Sequence, residues 1–222
     1  MTRAGTTFEL LAALYGDRVA GIVQACTDDD GGDPVHKAPW WQRKVAHLVH
    51  LEGLFAAAGN DLGVVRVTAA DKLSNLRSTL DSVEGDPFLR FKAGFGGFIW
   101  YHQSMGELLI PHLGVPSVLG RRMQDALDEL DDLLIAERRR LGDGLVEMHR
   151  RLAEVPLPVG SGVHNPWGWF ALDLARRTDG GKPPQELVIE RWASWFVEPL
   201  PADEAKRAEL VAEYRAHPDC LP

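Results

Sequence analysis

Apolar side chains recur every three or four positions along most of this chain, and strict two-residue alternation between turn pairs is nearly absent, so the pattern predicts an all-α fold. Thr6 with Glu9 three positions on has the form of a capping box. Leu11, Leu14, Val19, Ile22, Val23 and Cys26 then continue a helical stripe with a joint at Gly16. Pro39 opens a helix over 40–58 that Gly59-Asn60 stops. A third helix over 61–83 buries Val64, Val65, Val67, Ala70, Leu73, Leu76 and Leu80. Phe88, Phe91, Phe95, Phe98, Trp100 and Tyr101 form an aromatic segment, interrupted by Gly94, Gly96 and Gly97, that packs on the preceding helices. The longest periodic stretch, 117–152, reads as one helix. Pro156 to Gly162 reads as a linker, and it divides the chain into 1–155 and a Trp-rich helical extension, 156–222. Within the extension, 166–177, 184–197 and 202–216 are short helical candidates.

A chain of 222 residues that is 45% hydrophobic can bury a core without staples, which excludes a disulfide-built mini-fold and whole-chain disorder. Its 24 basic and 32 acidic residues leave a net charge of −8, so no general positive field collects nucleic acid or an anionic membrane. Any nucleotide site must be local. Cys26 and Cys220 stand near opposite ends without CxxC spacing, and no secretory leader or long apolar run is visible. The expected home is the reducing cytoplasm, away from membrane and nucleic acid.

The most informative polar pattern lies at 67–78. Asp71, Asn75 and Ser78 fall at i, i+4 and i+7, on one face of a helix whose leucines point elsewhere. Two readings stay open there: a ligand-facing stripe, or a capping box of Thr68 and Asp71 followed by ordinary surface polarity. Other candidates are thinner. Asp28 to Asp30 form an acidic loop of the kind that is usually only solvated. His47 and His50 stand i,i+3, and His36 or His102 is a further nitrogen donor for a substitute metal site. Cys26 reads as a small buried hydrophobe. Gly94-Phe95-Gly96-Gly97 lacks the lysine and the strand-to-helix setting of a phosphate loop.

Four segments in order carry a resemblance. Ala69-Ala70-Asp71-Lys72-Leu73-Ser74-Asn75-Leu76-Arg77 resembles the ADKLxNxR segment of the HD-domain metal-dependent phosphohydrolases, in the RelA/SpoT-type branch acting on guanosine tetraphosphate and pentaphosphate. Residues 8–23 with Cys26-Thr27-Asp28-Asp29 are similar to that branch's LEExxxxFGxxVAxIVxxxTDD. Pro39-Trp40-Trp41-Gln42-Arg43-Lys44 with His50 is similar to PWxxRKxxYLxHL, and Trp100-Tyr101-His102 to the LWYY segment downstream. The resemblance covers residues 5–135.

It implies a metal-dependent hydrolase of the stringent response, in which a divalent ion, commonly manganese, activates water against the 3′-pyrophosphate of the alarmone. Asp71 matches the last metal ligand and Asn75 the nucleotide-contacting asparagine. Ser78 stands where a threonine is usual, and Lys44 or Arg43 is placed to meet substrate phosphate. The family's histidine, its His-Asp pair and its acidic pair lie upstream of the segment matched at residues 5–9, and three of four expected ligands have no counterpart in the sequence. The expectation is an HD-like helical bundle, N-terminally incomplete, with impaired hydrolysis and a divalent metal at family level or none in this chain. The alternative is a noncatalytic helical module that binds nucleotide or protein, as a homodimer or with another partner.

Overall fold

The computed structural model describes residues 7–27, 38–57, 62–83, 85–114, 117–152 and 166–196, with single positions between 203 and 212. Its regular elements among these residues are all helical: α1 (Phe8–Tyr15), α2 (Asp17–Cys26), α3 (Trp40–Ala56), α4 (Leu62–Leu80), a 3-10 turn (Pro87–Arg90), α5 (Gly94–Leu113), α6 (Val118–Leu141), α7 (Asp143–Leu152), α8 (Trp167–Arg177) and α9 (Gln185–Phe196). The all-α expectation holds. No described helix is long and apolar enough to cross a membrane.

Local chemistry explains the boundaries. Gly16, at φ 86°, separates α1 from α2, because the chain must turn there through backbone that favours glycine. The cap of α1 is Thr7, whose hydroxyl accepts from the Leu10 N–H at 3.3 Å; Thr6 lies outside the described residues. The single helix expected over 117–152 is two. Gly142, at φ 48°, ends α6 with its N–H on the Arg138 carbonyl, and α7 restarts at Asp143. The expected Thr68 cap is also corrected: α4 begins at Leu62, and Thr68 is buried inside it, its Oγ1 3.2 Å from the half-buried Cys26 Sγ on α2.

α5 runs through the centre of the protein. It packs on α3, α4, α6 and α8, and twelve of its side chains and glycines are buried. α6 turns Met123, Ala126, Leu127, Leu130, Leu134 and Leu141 inward at three-to-four spacing, with Leu127 filling the space left by Gly106 of α5. The division expected at 155/156 falls among residues that are not described. On its far side α8 packs on α5, α6 and α7, and α9 packs on α3. Trp195 of α9 is fully buried, 5.4 Å from Trp40 and 6.3 Å from Trp41 between ring centroids, while Trp41 lies 4.0 Å from Trp100. Residues 167–196 thus share one core with the helices before them. The third C-terminal candidate, 202–216, lies largely outside the described residues.

The α5–α8 crossing depends on Gly96. A Cβ there would overlap the backbone carbonyl of Trp169, which cannot swing aside as a side chain can. Gly96→Ala is expected to cost about 1–3 kcal/mol through forced separation of the two helices, read as a lower urea midpoint. Gly21→Ala on α2, with nothing within 4 Å, is its control and should be neutral or stabilising.

Candidate functional site

Three helices deliver polar groups to one place. Lys44 of α3 sets its ammonium 4.7 Å from the centroid of the Tyr101 ring on α5, and Lys72 of α4 sets its own 5.7 Å from the same ring. Such placements favour a cation electrostatically over an aromatic face. Tyr101 is buried and Lys44 is half-buried; the Lys72 side chain is only 13% exposed, so its stem is covered while its head reaches a carboxylate. That carboxylate is Asp71, with its Oδ2 2.8 Å from the Lys72 Nζ. Asn75, one turn on, donates its amide to the same oxygen at 3.3 Å. Two ammoniums and one carboxylate thus meet beside the Tyr101 ring.

The sequence-predicted residues divide accordingly. Asp71 and Asn75 share a face, as the i,i+4 spacing requires, and Lys44 joins them from another helix. Ser78 sits on the same exposed side, but its hydroxyl donates to the Asn75 carbonyl at 3.0 Å and is spent on the helix itself. Arg43 points elsewhere, its Nε on the Ala38 carbonyl at 3.0 Å, where it fastens the chain entering α3. His47 is buried and His50 is exposed, so the i,i+3 pair does not converge. His36 and Asp28 to Asp30 lie outside the described residues. Sequence reasoning passed over Lys72 and Tyr101 as site residues, although both stand inside segments it had singled out.

Next to Tyr101, the His102 ring is buried, lying 4.0 Å from Phe98 and edge-on to Tyr101 at 5.9 Å between centroids. Burial pushes its pKa down to about 4, and the nearby Lys72 and Lys44 ammoniums add to that, against the Phe98 carbonyl and Asp71. The imidazole is therefore neutral at physiological pH.

No family model, curated protein or solved structure matches the chain. A manganese ion needs several oxygen or nitrogen ligands that are free to face it. Asp71 brings one carboxylate, and one of its oxygens already takes an ammonium and an amide N–H. Among the described residues no three His, Cys, Asp or Glu side chains gather as a metal-holding group. These described groups do not fit manganese. The ammoniums and the amide N–H are donors of the type that meets an anion's oxygens, while the Tyr101 ring serves the lysines rather than the anion.

Proposed function

We propose that this chain is a helical nucleotide-binding module related to the HD-domain phosphohydrolases, which holds phosphate groups of a guanosine polyphosphate-type nucleotide without carrying out manganese-dependent hydrolysis itself. The observation that carries the reading is the convergence of the Lys44 and Lys72 ammoniums on Tyr101 beside Asp71 and Asn75. Three of the four segments bearing the resemblance, from three helices, supply those groups. In this reading Lys44 and Lys72 take phosphate oxygens through charge-assisted hydrogen bonds. Asp71 is not a metal ligand. It is the internal counter-ion that holds Lys72 when phosphate is away.

Calorimetric titration of the chain with guanosine tetraphosphate in metal-free buffer tests this. Binding is expected without manganese, with Lys44→Ala and Lys72→Ala each weakening it about tenfold, as loss of a charged hydrogen bond does. Asp71→Asn separates the two roles of that carboxylate most sharply. As a counter-ion its removal frees Lys72 and tightens binding by up to about fivefold, the scale of an exposed ion pair; as a metal ligand its removal would weaken binding. Pyrophosphate release that depends on manganese would overturn the noncatalytic part.

A protein-partner reading draws on a different surface. Phe8, Leu10, Leu14, Tyr15, Val19 and Val23 of α1 and α2 are exposed, and α1 buries no residue. An apolar face of this kind is characteristic of a contact surface, for a second copy or another protein.

A further inference from the structure

Among the described helices α1 alone buries no residue, and its composition is the opposite of what that placement asks for. Seven of its eight residues are apolar, from Phe8 to Tyr15, with Glu9 the exception. A helix apolar on every side is ordinarily enclosed. Here α1 packs on α2, and α2 packs on α4. Leu10 and Leu14 stand one turn apart on α1, Val19 and Val23 one turn apart on α2, and all four are 41–63% exposed. Phe8 and Tyr15 are exposed on the same hairpin. The remaining exposed large hydrophobics are spread over α3, α4, α6, α7 and the connection between α4 and α5.

We propose that the α1–α2 hairpin is the interface of a homodimer, closing on the same hairpin of a second copy about a two-fold axis as a four-helix bundle. The inference rests on reading that face as a contact surface, and it assigns the occupant. Charge selects it. Of residues 7–27 only Glu9, Asp17 and Arg18 are charged, with both signs present, in a chain that is 25% charged overall. A strongly basic or acidic partner finds little to pair with there, whereas two chains of net charge −8 repel least where charges are fewest. Symmetry selects it as well. A two-fold contact needs one self-complementary patch, while a head-to-tail contact needs a second, different one, and the other exposed hydrophobics do not share a single hairpin. Covering the six exposed side chains on both copies removes on the order of 1,000 Å² of surface, the size at which specific interfaces begin. Helical hairpins that double in this way form four-helix bundles with their apolar rows inside.

Sedimentation velocity on the full chain over a range of micromolar concentrations tests this. The expected species has twice the 24.5 kDa mass of one chain and dissociates on dilution. Leu14→Lys is expected to raise the dissociation constant about a hundredfold, because one substitution removes apolar burial from both halves of a symmetric contact. Lysine also lowers the net negative charge, so the loss cannot come from added repulsion between acidic chains. Val23→Lys, on the second row, should act in the same way, and unchanged far-ultraviolet circular dichroism shows that either variant keeps its helices. Val146→Lys replaces a comparably exposed hydrophobic on α7 and should leave the dimer intact. A dimer that survives both hairpin variants, or that Val146→Lys breaks as readily, overturns the assignment. A species that keeps growing with concentration overturns the two-fold closure. A wild-type chain that is monomeric throughout refutes the second copy, and a dye that fluoresces on exposed apolar surface then separates the two failures. Dye binding that Leu14→Lys abolishes leaves the contact surface standing for a different partner, whereas dye binding in neither protein refutes the contact surface too.

Discussion

Asp173→Ala is expected to destabilise the protein by about 3–5 kcal/mol, the cost of removing one partner from a buried ion pair. Asp173 is 1% exposed and Arg191 7%. One carboxylate oxygen accepts from the Arg191 Nε at 2.9 Å and from the Arg177 Nε at 3.1 Å, while the other sits against Gly94 at the first turn of α5. The carboxylate therefore answers two guanidiniums and the positive end of a twenty-residue helix. Burial already disfavours the charged form of Arg191, and Asp173 is the first of the groups opposing that. Without it, a guanidinium stays in the core without its hydrogen-bonded counter-ion, and only Glu190 still favours its charge. Urea unfolding measures the loss. Arg177→Ala should cost far less, because that side chain reaches solvent, and Asp173→Ala combined with Arg191→Met should recover most of the stability. A double variant as weak as the single would show that packing rather than charge sets the cost.

The second large effect is a loss of stability on acidification, centred on His102. In the unfolded chain its ring takes a proton at its ordinary 6.5, while in the folded protein it does so only at about 4. Between these values the unfolded state binds more protons, so stability rises with pH. The contribution is complete above pH 6.5 and is lost as the pH falls to about 4, roughly 3 kcal/mol in all. Lys72 and Lys44 deepen the effect and Asp71 opposes it. His149, which burial and Arg138 also hold below its usual value, adds a smaller dependence in the same range. Glu137 contributes only at lower pH, because the Arg140 and Arg176 guanidiniums hold its carboxyl below the ordinary range. Urea midpoints from pH 7 to 4.5 should fall steeply in the wild-type chain and much less in His102→Phe. Parallel curves for the two would refute the assignment to His102.

The helical class was legible because its signal is local: a three-to-four period needs no knowledge of what the helix packs on. Asp71 and Asn75 were legible as a pair for the same reason, being one turn apart. The break at Gly142 was not, since Leu141, Leu145, Met148 and Leu152 keep an apolar period running across it. Thr68 misled for a related reason. Its spacing to Asp71 fits a cap, but its hydroxyl meets Cys26 from another helix. The meeting of Lys44, Lys72 and Tyr101 on three elements could not be seen in any one window of sequence. Asp173 and Arg191 lie on separate helices, and each alone reads as surface charge. Only burial makes the pair costly to break.

The tryptophan cluster has a practical consequence. Trp41 and Trp100 lie near enough for their ultraviolet transitions to mix, and Trp40 and Trp195 complete a group drawn from α3, α5 and α9. The unmodified protein thus carries its own optical reporter: circular dichroism in the aromatic region registers the seating of the last described helix, while the far-ultraviolet signal tracks helix content. If α9 lifts away before the remainder melts, the two traces will part company on heating.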